Sequence, residues 1–130
     1  MAAVELALVL LPLLLILLGI VEFGRVYSQQ LTMQYAAREA ARTIALEYDD
    51  PGMTAALLDG EVESALLNML PISDLSELYS YNIGLCSTSV TDPQDAVVEL
   101  EDRLDLAIPL PDDAFTDVPV RARAQMPCEG

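Results

Sequence analysis

The sequence of 130 residues contains no histidine and no lysine, only two cysteines, and 5% aromatic residues. Histidine is the usual general base of enzymes and a common ligand of zinc, so its absence removes the most frequent basis of both functions. The sequence also contains no Gly-x-Ser-x-Gly motif and no glycine-rich phosphate loop. Carboxylates are so abundant that a chance pair of them indicates little. We therefore expect no catalytic residues, no cofactor and no metal site.

Acidic residues outnumber basic ones by 21 to 6, which gives a net charge of −15. Residues 1–48 carry four acids and three arginines, a net −1, whereas residues 49–130 carry 17 acids and three arginines, a net −14. Such a polyanion repels phosphate backbones, which excludes nucleic acid as a partner and discourages adhesion to anionic lipid. Acids in the turns, at positions 49–50 and 112–113 and at Asp117, could bind calcium, but their spacing matches no EF-hand loop and favours solvated turns.

A run of sixteen residues without a charge occupies positions 6–21. As a helix it spans about 24 Å, close to the roughly 30 Å of a bilayer core. A buried core helix would show a polar stripe, whereas every face of this run is aliphatic. A secretory signal would have a basic segment before the run and an Ala-x-Ala cleavage site after it, and the sequence shows neither. The run therefore predicts a helix that spans a membrane or packs against copies of itself.

The charges after this run give conflicting indications of topology. Arg25, Arg38 and Arg42 would place the C-terminal side in the cytoplasm by the positive-inside rule. The acidic remainder with two cysteines is instead typical of an exported domain. A short basic leader before Met1, removed by processing, would resolve the conflict, because it would supply the cytoplasmic positive charge.

The helical pattern continues beyond the apolar run. Positions at alternating steps of three and four form an apolar stripe interrupted by one glutamine: Phe23, Val26, Gln30, Met33, Ala37, Ala40, Ile44 and Tyr48. We predict one helix of about 48 residues, roughly 70 Å long, that forms a first domain of residues 1–48. Pro12 and Gly19 predict a kink or a locally melted stretch near residues 8–12. The Asp-Asp-Pro-Gly sequence at positions 49–52 is typical of the turn that ends a helix.

Residues 49–130 predict a second domain, an acidic head with a short helix and about three antiparallel strands. The helix is indicated by the helical spacing of Leu58, Val62, Leu66 and Met69, and it ends before Pro71. Alternation with period two indicates the strands, whose apolar residues form three series: Tyr81, Ile83, Leu85; Val98, Leu100, Leu104, Leu106, Ile108, Leu110; and Val118, Val120, Ala122, Ala124, Met126. Packing of this sheet on the lower half of the long helix would bury both apolar stripes, which predicts an α+β fold.

The two cysteines lie at the ends of predicted strands. Cys86 ends the first strand and Cys128 follows the last, in a head of about 80 residues that is marginally stable alone. A disulfide between them would close a loop of about 43 residues and contribute roughly 4 kcal/mol to stability. Two free buried cysteines are the alternative, and redox catalysis would need a closer spacing such as CxxC. Because an exported head of this size gains most from such a bond, we predict the disulfide.

Glu5 differs from the other acids because it lies within the apolar end of the chain. An ionised side chain there costs about 3 kcal/mol unless it is paired or near the membrane interface. Residues 1–21 contain no basic side chain, so its counter-charge must come from an α-amino group or another molecule. In stacked identical helices, the α-amino group of Met1 of a neighbouring copy could approach Glu5. The alternative is that Glu5 lies at headgroup depth, about 6 Å from the terminus.

The sequence resembles the N-terminus of TadE-like pseudopilins of the tight-adherence (Tad) branch of type IV pili in three stretches, residues 1–15, 19–25 and 30–42. The last strand of that family is similar to residues 122–127. The resemblance implies a type IV pilin-like fold, a long N-terminal helix packed on a small antiparallel sheet. It also implies that a prepilin peptidase cuts just before Met1. Glu5 would then be the assembly glutamate of the mature chain.

Two classes of function fit these observations. The favoured one is a structural subunit, pilin or pseudopilin, of an extracellular pilus used for adhesion or surface attachment. Its partners would be copies of itself or related pilins, the prepilin peptidase and the assembly machinery, and it would reside in the cytoplasmic membrane before assembly. The alternative is a single-pass envelope protein whose acidic head binds a partner or cations. Residues 23–48 favour the filament, because a lone anchor has no use for an apolar stripe beyond the membrane.

Overall fold

A computed structural model describes residues 2–47, 54–86, 95–105 and 117–128. Helix α1 (Ala2–Glu47) is followed by helix α2 (Ala55–Met69), a short 3-10 turn (Leu75–Glu77) and three strands, β1 (Ser80–Gly84), β2 (Ala96–Asp105) and β3 (Asp117–Met126). The fold is therefore α+β, with a long N-terminal apolar helix and a small three-stranded antiparallel sheet, as predicted.

Helix α1 is continuous over 46 residues and passes through Pro12 and Gly19 without interruption. The melted stretch predicted near residues 8–12 is therefore wrong. The physical reason is that proline removes one backbone hydrogen bond, while the bonds of the turns on either side of it remain. A bend at these positions stays a prediction. Tyr48, the last residue of the predicted stripe, lies outside the described residues.

The head packs on only the C-terminal half of α1. Six residues on one side of the helix are buried there: Met33, Ala36, Ala37, Ala40, Ala41 and Ile44. Four of them are alanines, whose small side chains let the sheet approach the helix backbone closely. Phe23, at the start of the predicted stripe, is 73% exposed, because the contacts between α1 and the head begin only near Arg25.

Helix α2 begins at the N-cap Thr54, whose side chain accepts a hydrogen bond from the Leu57 backbone N–H at 3.4 Å. Its buried side consists of Leu58, Val62 and Leu66, and Leu70 continues it beyond the helix end. Met69, which we predicted on this side, is instead 43% exposed. The backbone of Leu70 is extended because Pro71 follows it, and this turn directs the side chain of Leu70 into the core in place of Met69.

The sheet has the order β1-β2-β3, with both neighbouring pairs antiparallel. Its inner side packs on α1 and contributes six buried residues: Ala96, Val98, Leu100, Val120, Ala122 and Ala124. Tyr81 pairs with Leu100, yet it is 49% exposed because β1 is an outer strand. The strand predicted to continue through positions 106–110 is described only as far as Asp105.

The outer side of the sheet is charged and solvent-facing. Arg121 contacts Glu101 at 3.0 Å and Arg123 contacts Glu99 at 3.2 Å, and both pairs lie directly opposite each other in the β2–β3 register. Opposite charges at facing positions stabilise antiparallel pairing, and they fix which side of the two strands faces the core.

A disulfide joins Cys86, which follows β1, to Cys128, which follows β3. The Cα atoms are 6.0 Å apart and the two residues are separated by 42 positions in the chain. The bond therefore links the two outer strands of the sheet past the end of the central strand β2. The Sγ atom of Cys86 also lies 4.0 Å from the carbonyl oxygen of Ile44, so the disulfide packs against the last turns of α1.

Candidate assembly surface

The N-terminal half of α1 is an apolar rod that the rest of the described chain does not cover. Its most apolar window of 18 residues has a mean hydropathy of 2.9 and no buried residue. The large aliphatic side chains between Val4 and Val21 are all 46–72% exposed. By length and composition this helix is long enough to cross a membrane. The exposed apolar area is continuous around the helix, far beyond the isolated patches of a soluble monomer, and it requires lipid or protein to cover it.

Glu5 is the only ionisable side chain on α1 before Glu22. The side chain is exposed and has no hydrogen bond or ion pair among the described residues. The nearest basic side chain along the helix is Arg25, twenty positions and thus about 30 Å away. No basic side chain of the described residues therefore lies near the Glu5 carboxylate. Met1, the other predicted assembly residue, lies outside the described residues.

Three polar contacts attach the head to α1 where the apolar rod ends. Arg25 lies 3.0 Å from the Glu22 carboxylate and also donates to the backbone carbonyl of Asp105, at the end of β2. Gln29 donates to the Asp102 carboxylate at 3.3 Å, and Gln30 donates to the carbonyl of Arg121 at 2.6 Å. Since these partners lie on both β2 and β3, the contacts fix the direction of the rod relative to the sheet.

Sequence reasoning missed these contacts, although one signal was present. Gln30 interrupted an otherwise apolar stripe, and a polar residue at such a position either weakens the packing or makes a specific hydrogen bond. In the structure Gln30 is partly buried and bonded to a backbone carbonyl of β3. The partners themselves belong to the sheet about 90 positions later and could not be named from the helix alone.

The acidic head shows no metal centre in its described part. No group of three or more potential ligands is brought together among the described residues. Asp117, one of the candidate calcium ligands, contacts Arg103 at 3.8 Å. The other candidates, at positions 49–50 and 112–113, lie outside the described residues. Hydrogen bonds from Ser76 to the Asp74 side chain hold the pKa of that carboxyl below its usual value, as expected for an acid that caps a helical turn.

Comparison with known proteins gives one match. The family model described as TadE-like protein matches residues 1–42, and neither a curated protein nor a solved structure matches the chain significantly. The matched segment contains Glu5, Pro12 and Gly19, the apolar rod, and most of the residues of α1 that contact the head. It is about a third of the chain and ends before α2 and the sheet begin.

The match relates the chain to the Tad pilus system, whose pilin-like proteins are structural, and it implies association with other pilins or with the Tad machinery. The single candidate membrane helix among the described residues fits anchoring in a membrane. In residues 1–42 the chain is therefore TadE-like in sequence, and over the described residues it has the α+β arrangement of a type IV pilin.

Proposed function

We propose that the chain is a structural subunit, pilin or pseudopilin, of a Tad-like type IV pilus, and that it polymerises through α1. In this proposal the apolar rod is held in the cytoplasmic membrane before assembly and in the core of an extracellular filament afterwards. A prepilin peptidase and the pilus assembly machinery act on it in between. The filament serves adhesion or surface attachment, and the acidic heads face solvent, where their charge keeps them apart from one another and from phosphate-rich surfaces.

One observation carries this proposal: the apolar surface of α1 is exposed over the length of a membrane, and exposed apolar side chains recur further along the helix. Residues 4–21 already span about 27 Å. Beyond them Phe23 and Tyr27 stack with ring centroids 6.2 Å apart and are 73% and 56% exposed. Tyr35 and Leu46, still further along and on the side that the head leaves open, are 63% and 69% exposed. The predicted stripe from Met33 to Ile44 is buried by the head and therefore does not distinguish the two functions. The exposed Tyr35 and Leu46 are the side chains that a bundle of identical helices would bury and that a single-pass anchor does not need.

Glu5 acts in assembly in this proposal. In the membrane its carboxylate lies one helical turn from the chain's own α-amino group, and in the filament it faces the α-amino group of Met1 of a neighbouring copy. Leaving either charge unpaired in a dry helix bundle costs several kcal/mol. The pair therefore penalises copies that stack with the wrong axial shift more than it rewards the correct one. The bend that we predict at Pro12 and Gly19 belongs to the same segment and would let it adapt to the bundle.

The test is filament formation in cells that carry the assembly machinery, counted by negative-stain electron microscopy. We expect Glu5→Ala to insert into the membrane and to keep a folded head, but to form fewer or irregular filaments. Glu5→Gln should be milder if hydrogen bonding suffices. Glu61→Ala is the matched control, because Glu61 is an exposed carboxylate on α2 that makes no side-chain contact in the described chain.

Two results would contradict the proposal. If Glu5→Ala forms filaments of normal number, length and symmetry, Glu5 has no role in assembly, and the alternative that it lies at headgroup depth is favoured. A wild-type chain that stays in the membrane as single copies and forms no filament would favour the alternative function, an envelope-anchored protein whose acidic head binds a partner or cations.

A further inference from the structure

Two of the six arginines differ from the other four in having no side-chain partner among the described residues. Arg25, Arg103, Arg121 and Arg123 each contact a carboxylate within the chain, and Arg103 also lies over the ring of Tyr79. Arg38 and Arg42 are exposed and make no ion pair or side-chain hydrogen bond in the described chain. Unpaired arginines are unexpected in a chain with 21 acids.

Arg38 and Arg42 lie four positions apart on α1 and therefore on the same side of the helix, with about 6 Å between their Cβ atoms. Like charges at this spacing repel each other and weaken the helix slightly. The side that they occupy is opposite the buried residues of α1, and it also carries the exposed Tyr35 and Leu46. Exposed aromatic, aliphatic and arginine side chains on one surface are typical of a protein interface.

Most acids in the described head are already engaged by groups of the same chain. Five contact arginine or glutamine side chains, and two more accept hydrogen bonds from the backbone around the 3-10 turn: Glu99, Glu101, Asp102, Asp117, Asp95, Asp74 and Glu77. The three acids of α2, Asp59, Glu61 and Glu63, are different, because all are exposed and have no side-chain partner in the described chain. Asp59 and Glu63 are four positions apart and therefore lie on one side of α2, whereas Glu61 lies on another side.

We propose that Arg38 and Arg42 of one copy bind Asp59 and Glu63 of a neighbouring copy. The two pairs have opposite charge and the same spacing of one helical turn, and within one chain they do not meet. A contact between α1 of one copy and α2 of the next therefore satisfies four charges that the monomer leaves without partners. The inference rests on the proposed filament, in which the open side of α1 faces neighbouring copies, and it adds the residues that set their register outside the apolar rod.

The position of the arginines argues against lipid as their partner. Arg38 lies 17 positions, about 26 Å, beyond Val21, where the charge-free run ends. An upright helix would place both arginines beyond the headgroup layer. The polar contacts of Arg25, Gln29 and Gln30 attach the head to α1 on the membrane side of Arg38 and Arg42. The two arginines are therefore separated from lipid, and we take a neighbouring copy of the chain as their partner.

The test uses the full chain in detergent, with self-association measured by sedimentation after the detergent is removed. We expect the variant R38E/R42E to raise about tenfold the protein concentration at which half of the protein sediments. The variant D59R/E63R should show a similar loss, and the variant with all four changes should recover most of the association. Added salt should narrow the difference between the wild type and R38E/R42E, because exposed charges are screened. Circular dichroism in detergent checks that every variant is folded.

The control with the same charge change is R121E/R123E, on the outer side of the sheet. Because it replaces the ion pairs of Arg121 and Arg123 with Glu101 and Glu99 by like charges, it is compared only where circular dichroism shows a folded head, and it should then sediment like the wild type. Equal loss in this control would overturn the inference, since net charge alone would then explain the effect. Unchanged association of R38E/R42E would overturn it while leaving the filament proposal intact. Failure of the four-residue variant to recover would overturn the pairing with α2 and point to another partner, lipid included. A wild-type chain that never sediments would remove both proposals together.

Discussion

The two halves of α1 belong to one helix but to different environments. The N-terminal half consists mostly of leucine, isoleucine and valine, and the large aliphatic side chains from Val4 to Val21 are all at least 46% exposed. The C-terminal half is less apolar, yet Met33, Ala37, Ala40 and Ile44 are completely buried. The most hydrophobic segment of the chain is therefore the least buried one. Residues of α1 are buried where the sheet and α2 cover them. The uncovered half has an apolar surface that is suited to contact with lipid or with other apolar helices.

The largest expected effect comes from removing the N-terminal half. Deletion of residues 1–24 should give a soluble, monomeric, acidic domain that keeps its helices and sheet, because all buried core residues lie beyond position 24. Size-exclusion chromatography with light scattering measures the mass, and circular dichroism measures the secondary structure. If the truncated chain forms large oligomers, the heads carry the main assembly contacts. The assignment of assembly to the N-terminal half of α1 would then be wrong.

The disulfide should affect the head and leave the rod unchanged. Replacing Cys86 and Cys128 by serine should lower the free energy of unfolding of the head by about 4 kcal/mol, since the unfolded chain regains the freedom of a 42-residue separation. Membrane insertion and self-association through α1 should persist as long as the head stays folded. Chemical denaturation of the full chain in detergent measures the loss. Peptide mapping of native protein under non-reducing conditions checks the bond, and recovery of both cysteines as free thiols would refute it.

A matched pair of isoleucines tests the comparison within α1 directly. Ile44 is 0% exposed in the core and Ile16 is 63% exposed on the rod. Ile44→Ala should cost about 3 kcal/mol of head stability, because it removes buried methyl groups and leaves a cavity. Ile16→Ala should change the same quantity by less than about 0.5 kcal/mol. Denaturation of both variants in the same detergent measures the difference, and equal losses would show that the rod is part of the folding unit of the head.

The smallest expected effect concerns the surface of the head and its response to acid. Hydrogen bonds from Ser76 hold the pKa of Asp74 below its ordinary 3.8, so the ionised carboxylate stabilises the folded head above that pH. This contribution is lost as the pH falls through the lowered pKa. Asp74→Ala should therefore be slightly less stable than the wild type at pH 7, and the two should converge below pH 3.8. Denaturation at several pH values tests this, with Glu61→Ala as a control that removes no side-chain contact; a difference that persists in acid would contradict it.

The elements of the fold could be predicted from the sequence because each has a clear local pattern. The apolar run and the stripe up to Ile44 predicted the long helix, and alternation predicted the paired strands with Val98 and Leu100 facing inwards. The misplaced residues were those whose environment depends on where another element ends. Phe23 continues the stripe in sequence but lies before the head begins, and Met69 has helical spacing but gives up its place to Leu70 at the turn before Pro71.

Some residues of the candidate assembly surface could be predicted from the sequence, and others could be found only in the structure. Glu5 could be identified because an acid in an apolar run is conspicuous in the sequence alone. Arg38 and Arg42 could not be singled out from the sequence, because they differ from the other arginines only in lacking side-chain partners in the described structure. Asp59 and Glu63 could not be singled out either, because only the structure shows which carboxylates of the described head already have partners.

The disulfide between the two outer strands has a mechanical consequence. In the proposed filament, tension would enter this chain through its N-terminal helix. If the head began to unravel from that end, β1 could be peeled away only as far as Cys86, because the segment from there to Cys128 is a closed covalent loop. Fully extended, the 42 positions of that loop would add about 140 Å of length. The disulfide prevents the loop from extending under force. A subunit whose head unfolds under load would therefore lengthen less, and β2 and β3 would stay close enough to pair again.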